Sequence, residues 1–159
     1  PWLLYRKPFD GKLSENLEEW QTGGLRRESP NRPFTDLLED GKTPKQETEI
    51  VRQSHAGEGN DKEAHPNLKP QYLMRELVHA SLPLQEGTIL DTFAGSGSTL
   101  AAATALEYES VGIELDETYY NMARNAIPRL AGFNTPVEER PDFDHLRQDS
   151  AACLSDFTS

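Results

Sequence analysis

The sequence predicts an α/β fold with parallel strands and flanking helices, and three local observations carry that prediction. A short buried-type run, Thr88-Ile89-Leu90, follows the turn residues Pro83 and Gly87. It leads through a Gly/Ser loop, Gly95-Ser96-Gly97-Ser98, into an alanine-rich stretch at residues 99–106. A second run, Ser110-Val111-Gly112-Ile113, then precedes Asp116, a residue suited to capping a helix. Residues 88–130 thus read as β-α-β-α, and a right-handed crossover makes the two strands parallel.

The remaining elements follow in chain order. Trp2-Leu3-Leu4-Tyr5 reads as a strand ended by Pro8 and the turn pair Asp10-Gly11, and Ser14 is placed to cap a helix that reaches Trp20 and stops at Gly23-Gly24. Thr43-Pro44-Lys45-Gln46 predicts a brief polar helix over 44–52 with almost no apolar face, and the charged, Gly-containing stretch 54–63 reads as a connector. From Pro70, the spacing of Leu73, Leu77 and Ala80 predicts a helix. The helix after Asp116 is expected to bury Tyr120, Ala123, Ile127 and Leu130 on one face, and the acidic tail is expected to be disordered. The organisation expected is a strand, loops and short helices at 1–64, a ligand-binding unit at 65–132 and a polar tail at 133–159.

Composition bounds the function. With 159 residues, a hydrophobic share of 35% and a mean hydropathy of -0.72, the chain suits one small globular unit with polar segments. No apolar run approaches the ~20 residues needed to cross a bilayer, which predicts a soluble, cytoplasmic protein with no membrane partner. Cys153 is the single cysteine, and the four histidines are scattered, so no metal site is expected. The net charge of -11 opposes simple wrapping of nucleic acid. Residues 1–60 hold nine basic and eleven acidic residues, against seven and sixteen in 61–159. Any nucleic-acid contact is therefore expected in the first part, where Arg6, Lys7, Arg26, Arg27 and Arg32 cluster near glycine and proline.

A glycine loop between strand and helix serves phosphates, dinucleotides and adenosyl cofactors alike. A nucleotide P-loop requires Lys before Ser or Thr after its last glycine, and Gly97 is followed by Ser98-Thr99. The dinucleotide fingerprint requires a third glycine where Leu100 stands, and Asp91 at the strand end would face a pyrophosphate. A ligand without phosphate and with a cationic head suits Asp91, as S-adenosylmethionine does with its ammonium and sulfonium groups. Glu114 lies 23 positions later at the end of the next strand, near the ~20-residue interval at which an acid accepts hydrogen bonds from a ribose.

Three motifs in this order resemble the DNA amino-methyltransferases of the adenine-N6/cytosine-N4 type. They are His65-Pro66-Asn67-Leu68-Lys69-Pro70, then Leu90-Asp91-Thr92-Phe93-Ala94-Gly95-Ser96-Gly97-Ser98-Thr99, then Val111-Gly112-Ile113-Glu114-Leu115-Asp116. The match spans residues 65–130, with Trp2 to Pro8 more loosely similar to the strand closing a catalytic half. The resemblance implies a partial Rossmann-like S-adenosylmethionine-dependent methyltransferase fold in the permuted order, catalytic half first and cofactor half last. It implies cofactor contacts from His65, Pro66, Lys69 and Pro70, from Asp91 through Thr99 in the loop motif, and from Glu114, Leu115 and Asp116. Lys69-Pro70 would present a cation and a helix N-terminus to the cofactor carboxylate.

In that family the flipped base is held by Asp, Asn or Ser, then Pro-Pro, then an aromatic, and no Pro-Pro pair occurs among the eleven prolines here. No catalytic residue is therefore assigned. The resemblance implies a role in DNA methylation and restriction-modification, with DNA as substrate, together with either a complementary methyltransferase half or self-association. A non-catalytic cofactor-binding remnant or DNA-associated module is the alternative, and methylation of RNA or a small molecule is a third possibility.

Overall fold

The computed structural model describes residues 5, 7–8, 10–26, 34, 41–55 and 67–133. Its elements are α1 (Leu13–Trp20), α2 (Lys45–Gln53), α3 (Gln71–Ser81), β1 (Thr88–Asp91), α4 (Ser98–Ala105), β2 (Glu109–Gly112) and α5 (Glu117–Ala131). The expected β-α-β-α unit is present. The strand expected at 2–5 lies outside the described residues apart from Tyr5, which is exposed. The basic positions Arg6, Arg27 and Arg32 and the polar tail from residue 134 also lie outside them.

β1 and β2 pair in parallel, with Thr88 opposite Glu109 and Asp91 opposite Gly112. The ladder runs on past the strands, because Ile113 N–H donates to the Asp91 carbonyl at 2.8 Å and Ala94 N–H to the Ile113 carbonyl at 2.9 Å. The loop after β1 is thereby stitched to the loop after β2. Alternation sends Ile89 toward α4, while Leu90, Val111 and Ile113 point to the opposite face. These three remain 62%, 51% and 54% exposed. Parallel sheets are ordinarily covered on both faces, and this one is covered on one among the described residues.

The core forms around α4, whose alanines let neighbours approach on two sides. Ala101 joins Val51, Met122, Ala126 and Leu130, and Ala102 and Ala103 join Met74 and Val78. Burying a side chain such as Met122 or Leu130 is worth roughly 1.5–3 kcal/mol. Gly97 makes the α4–α5 approach possible: its φ is +83°, and a Cβ there would meet Ile127 Cγ1 at 2.6 Å and Ala123 Cβ at 3.3 Å.

Three local expectations are corrected. α5 turns Met122, Ala123, Ala126 and Leu130 inward and leaves Tyr120 largely exposed under the Arg124 guanidinium, because α2 and α4 together cover a stripe displaced from the one expected. α2 begins after Pro44 and is not faceless: Val51 is fully buried, and Ile50 packs beside it. Arg129 fastens α2 to α5, reaching the Ile50 carbonyl and Ser54 Oγ at 3.3 Å each and Gln53 Oε1 at 2.7 Å. Arg26, expected in the basic cluster offered to nucleic acid, is buried. Its backbone N–H donates to the Ala80 carbonyl at 2.9 Å, and its guanidinium donates to Tyr108 Oη at 3.1 Å. Burial raises the Tyr108 phenol above its ordinary value, partly offset by that cation.

Candidate functional site

A cleft of about 740 Å³ opens at the carboxyl ends of both strands, where ligands of open parallel sheets bind. From the end of β1 and the loop after it, its wall takes Asp91, Phe93, Ala94, Gly95 and Ser96, and from the first turn of α4 it takes Ser98 and Thr99. Glu114, Leu115 and Asp116 close the far side after β2, and Lys69 stands on the segment entering α3. Eleven of the sixteen residues proposed from sequence thus come together. Pro70, buried at the N-cap of α3, does not line the cleft, and neither does the exposed Thr92. Gly97 is also absent from the wall, its missing side chain serving the packing of α4 on α5. His65 and Pro66 lie outside the described residues.

Sequence reasoning missed three wall residues: Asn67, Met74 and Tyr119. Asn67 sits within the quoted His65–Pro70 motif. Met74 and Tyr119 lie in the first turns of α3 and α5, the turns that face ligand when a helix starts at the strand ends. That position was the available signal.

Backbone N–H groups shape the acids. Asp91 Oδ1 accepts from Phe93 N–H at 3.0 Å, which turns the chain sharply out of β1. Glu114 Oε1 accepts from Asp116 N–H at 2.9 Å, and its Oε2 accepts from Gly95 N–H at 2.8 Å. The bond from Asp116 N–H, foremost, and that from Gly95 hold the Glu114 carboxyl below its ordinary value against the opposing effect of burial, so it is ionised at neutral pH. Asp116 caps α5, accepting from Thr118 N–H at 2.8 Å and Tyr119 N–H at 3.1 Å.

The α3 end of the cleft is held differently from what the sequence suggests. The first N–H of α3, from Gln71, donates at 2.9 Å to Oε2 of Glu47, a fully buried residue of α2. An internal carboxylate therefore already meets part of the helix N-terminus that sequence reasoning offers to a ligand anion.

Among the described residues the wall has three carboxylates, Asp91, Glu114 and Asp116, and one cation, Lys69. A di- or triphosphate would meet net negative charge here, whereas a cationic ligand with hydroxyls would meet acceptors. Phe93 and Leu115, 89% and 99% exposed, add apolar surface for a flat ring, and Met74 and Tyr119 add more. Among the described residues no group of His, Cys, Asp and Glu is placed to hold a metal ion, and no helix is long and apolar enough to cross a membrane.

Comparison with known proteins places this cleft in a family. The sequence profile of the N6/N4 DNA methylases matches residues 4–125. The chain is 39% identical over 64 residues to the type II methyltransferase M2.DpnII of Streptococcus pneumoniae, covering 40% of this chain and 23% of that protein. It is 40% identical over 67 residues to the type II methyltransferase M.HindIII of Haemophilus influenzae, covering 42% and 21%. The matched stretch thus spans about a fifth to a quarter of these relatives. Among solved structures, TTHA0409 of Thermus thermophilus, a proposed DNA modification methylase, overlaps at a TM-score of 0.38 with 21% identity, over 76% of this chain and 60% of that one. The same protein has been solved in complex with S-adenosyl-L-methionine, overlapping at a TM-score of 0.37 with 19% identity. With the profile running across most of its length, this chain belongs to the N6/N4 DNA methylase family.

Proposed function

We propose that the chain is the S-adenosylmethionine-binding portion of a DNA N-methyltransferase acting on an exocyclic amino group of adenine or cytosine. The carrying observation is that Asp91, the last residue of β1, and Glu114, two residues past β2, line one cleft with a loop between them whose Gly95 is bonded to Glu114. The cofactor supplies an electrophilic methyl group. Asp91 accepts from its ammonium, and Glu114 accepts from the ribose diol with the lone pairs left over from Gly95 and Asp116. Lys69 meets the carboxylate, and Leu115 and Phe93 flank the adenine.

The chain's own residues stop at cofactor binding. Methyl transfer requires the acceptor nitrogen held in line with the methyl group, and positioning accounts for roughly 7–11 kcal/mol of such barriers. The Pro-Pro-aromatic element that clamps a flipped base is absent from the sequence. That element, carried upstream on the same polypeptide or on a separate one, supplies DNA binding and chemistry, and it packs over Leu90, Val111 and Ile113.

Isothermal titration tests the proposal. S-adenosylmethionine and S-adenosylhomocysteine bind and NAD does not; failure of both adenosyl ligands to bind the folded chain defeats it.

A further inference from the structure

Gln71 has no place among the cleft residues, yet it is the point at which three elements meet. Fully buried, it donates its backbone N–H to Glu47 Oε2 at 2.9 Å and its side-chain Nε2 to the Ser98 carbonyl at 3.0 Å. Two residues earlier, the Lys69 N–H donates to Ser98 Oγ at 3.4 Å. Lys69 and Ser98 both line the cleft, from the segment entering α3 and the start of α4, whereas Glu114 and Leu115 line it from the loop after β2. The chain entering α3 and the first turn of α4 are thus joined twice, once by the Lys69 backbone and once by the Gln71 side chain, within one three-residue segment. Glu47 fixes that segment from behind.

We propose that Gln71, anchored by Glu47, is a positioning residue that sets the spacing between Lys69 and the first turn of α4, and so the affinity for the amino-acid end of the cofactor. The proposal rests on the S-adenosylmethionine reading of the cleft. An apolar side chain of the same length at 71 would leave the Ser98 carbonyl without its amide donor, and the two walls would drift apart at that end. The other end, built on Glu114, Gly95 and Asp116, shares none of these bonds.

Geometry therefore makes a prediction that general loosening does not. Gln71→Met in the full chain is titrated with S-adenosylhomocysteine, which carries the amino-acid end, and with adenosine, which lacks it. S-adenosylhomocysteine is expected to weaken about tenfold and adenosine less than twofold. Equal weakening of both, or of neither, overturns the positioning role. Should Gln71→Met lose its cooperative melt, Gln71→Asn, which keeps a polar amide but falls one methylene short of the Ser98 carbonyl, is read in the same way with the same overturning outcomes. If the unsubstituted chain binds adenosine but not S-adenosylhomocysteine, there is no amino-acid subsite for Gln71 to position and this role is overturned. If it binds neither, the cofactor reading fails, and the positioning role with it.

Discussion

Gly95 and Glu114, nineteen residues apart, are joined by a 2.8 Å hydrogen bond from the glycine N–H to the carboxylate Oε2. The acid assigned to the ribose is therefore also the clasp of the glycine loop. Glu114→Ala removes both functions. With a hydrogen bond to a charged group worth roughly 1.5–3 kcal/mol, adenosyl-ligand affinity is expected to fall tenfold to a hundredfold, read by titration calorimetry. Unchanged affinity in a folded variant would take Glu114 out of the site.

The same carboxylate gives stability a pH dependence of known sign. Its folded value lies below the ordinary 4.5, chiefly through the Asp116 N–H and then the Gly95 N–H. The stabilisation is thus fully present above the unfolded value and is lost as pH falls through the depressed folded value. Comparing urea unfolding of the wild type and Glu114→Gln from neutral to acid pH should show a gap that is constant near neutrality and narrows in the acid range. A gap that widens on acidification would contradict the assigned direction.

Gly97→Ala should destabilise the fold more than an ordinary surface substitution. The left-handed backbone costs a non-glycine residue about 1–3 kcal/mol, and the new methyl group meets Ile127 at 2.6 Å. Adding Ile127→Ala relieves the contact and leaves the backbone strain, so the double variant should recover less than the full loss in denaturant midpoint. Complete recovery would assign the whole effect to packing.

Methyl transfer to mixed-sequence DNA should be absent for the chain alone and appear with a polypeptide bearing the Pro-Pro-aromatic element. Val111→Glu, placed on the exposed sheet face, should leave adenosyl-ligand binding intact and abolish that complementation. Labelled-methyl incorporation is the measurement, and robust transfer by the chain alone would sink the reading that its residues stop at cofactor binding.

The parts of the site legible in the sequence were those encoded by neighbours. Asp91, the loop and Glu114 lie within 24 residues, and the two acids are held by bonds from their immediate flanks, Phe93 to Asp91 and Asp116 to Glu114. Where a side chain's partner is remote, local pattern misled or stayed silent. Arg26 meets Tyr108 across 82 positions, which no charge count reveals. Glu47 looks like one more solvated acid on a polar helix, and only the fold brings it against Gln71. Gly97 reads as a ligand-approach glycine, and its neighbour is Ile127.

The attachment of α2 to α5 bears on how the chain can be cut. A boundary drawn at residue 65 from the motifs would discard Val51 from a cluster it shares with Met122 and Leu130, and would discard the carboxylate that meets the N-terminus of α3. Protease nicking between α2 and α3 should then leave two fragments that stay associated under native conditions, held by Val51 and the Arg129 contacts, and that part only in denaturant. Trimming to the motif-bearing piece would yield a polypeptide with every cofactor residue and no cooperative transition.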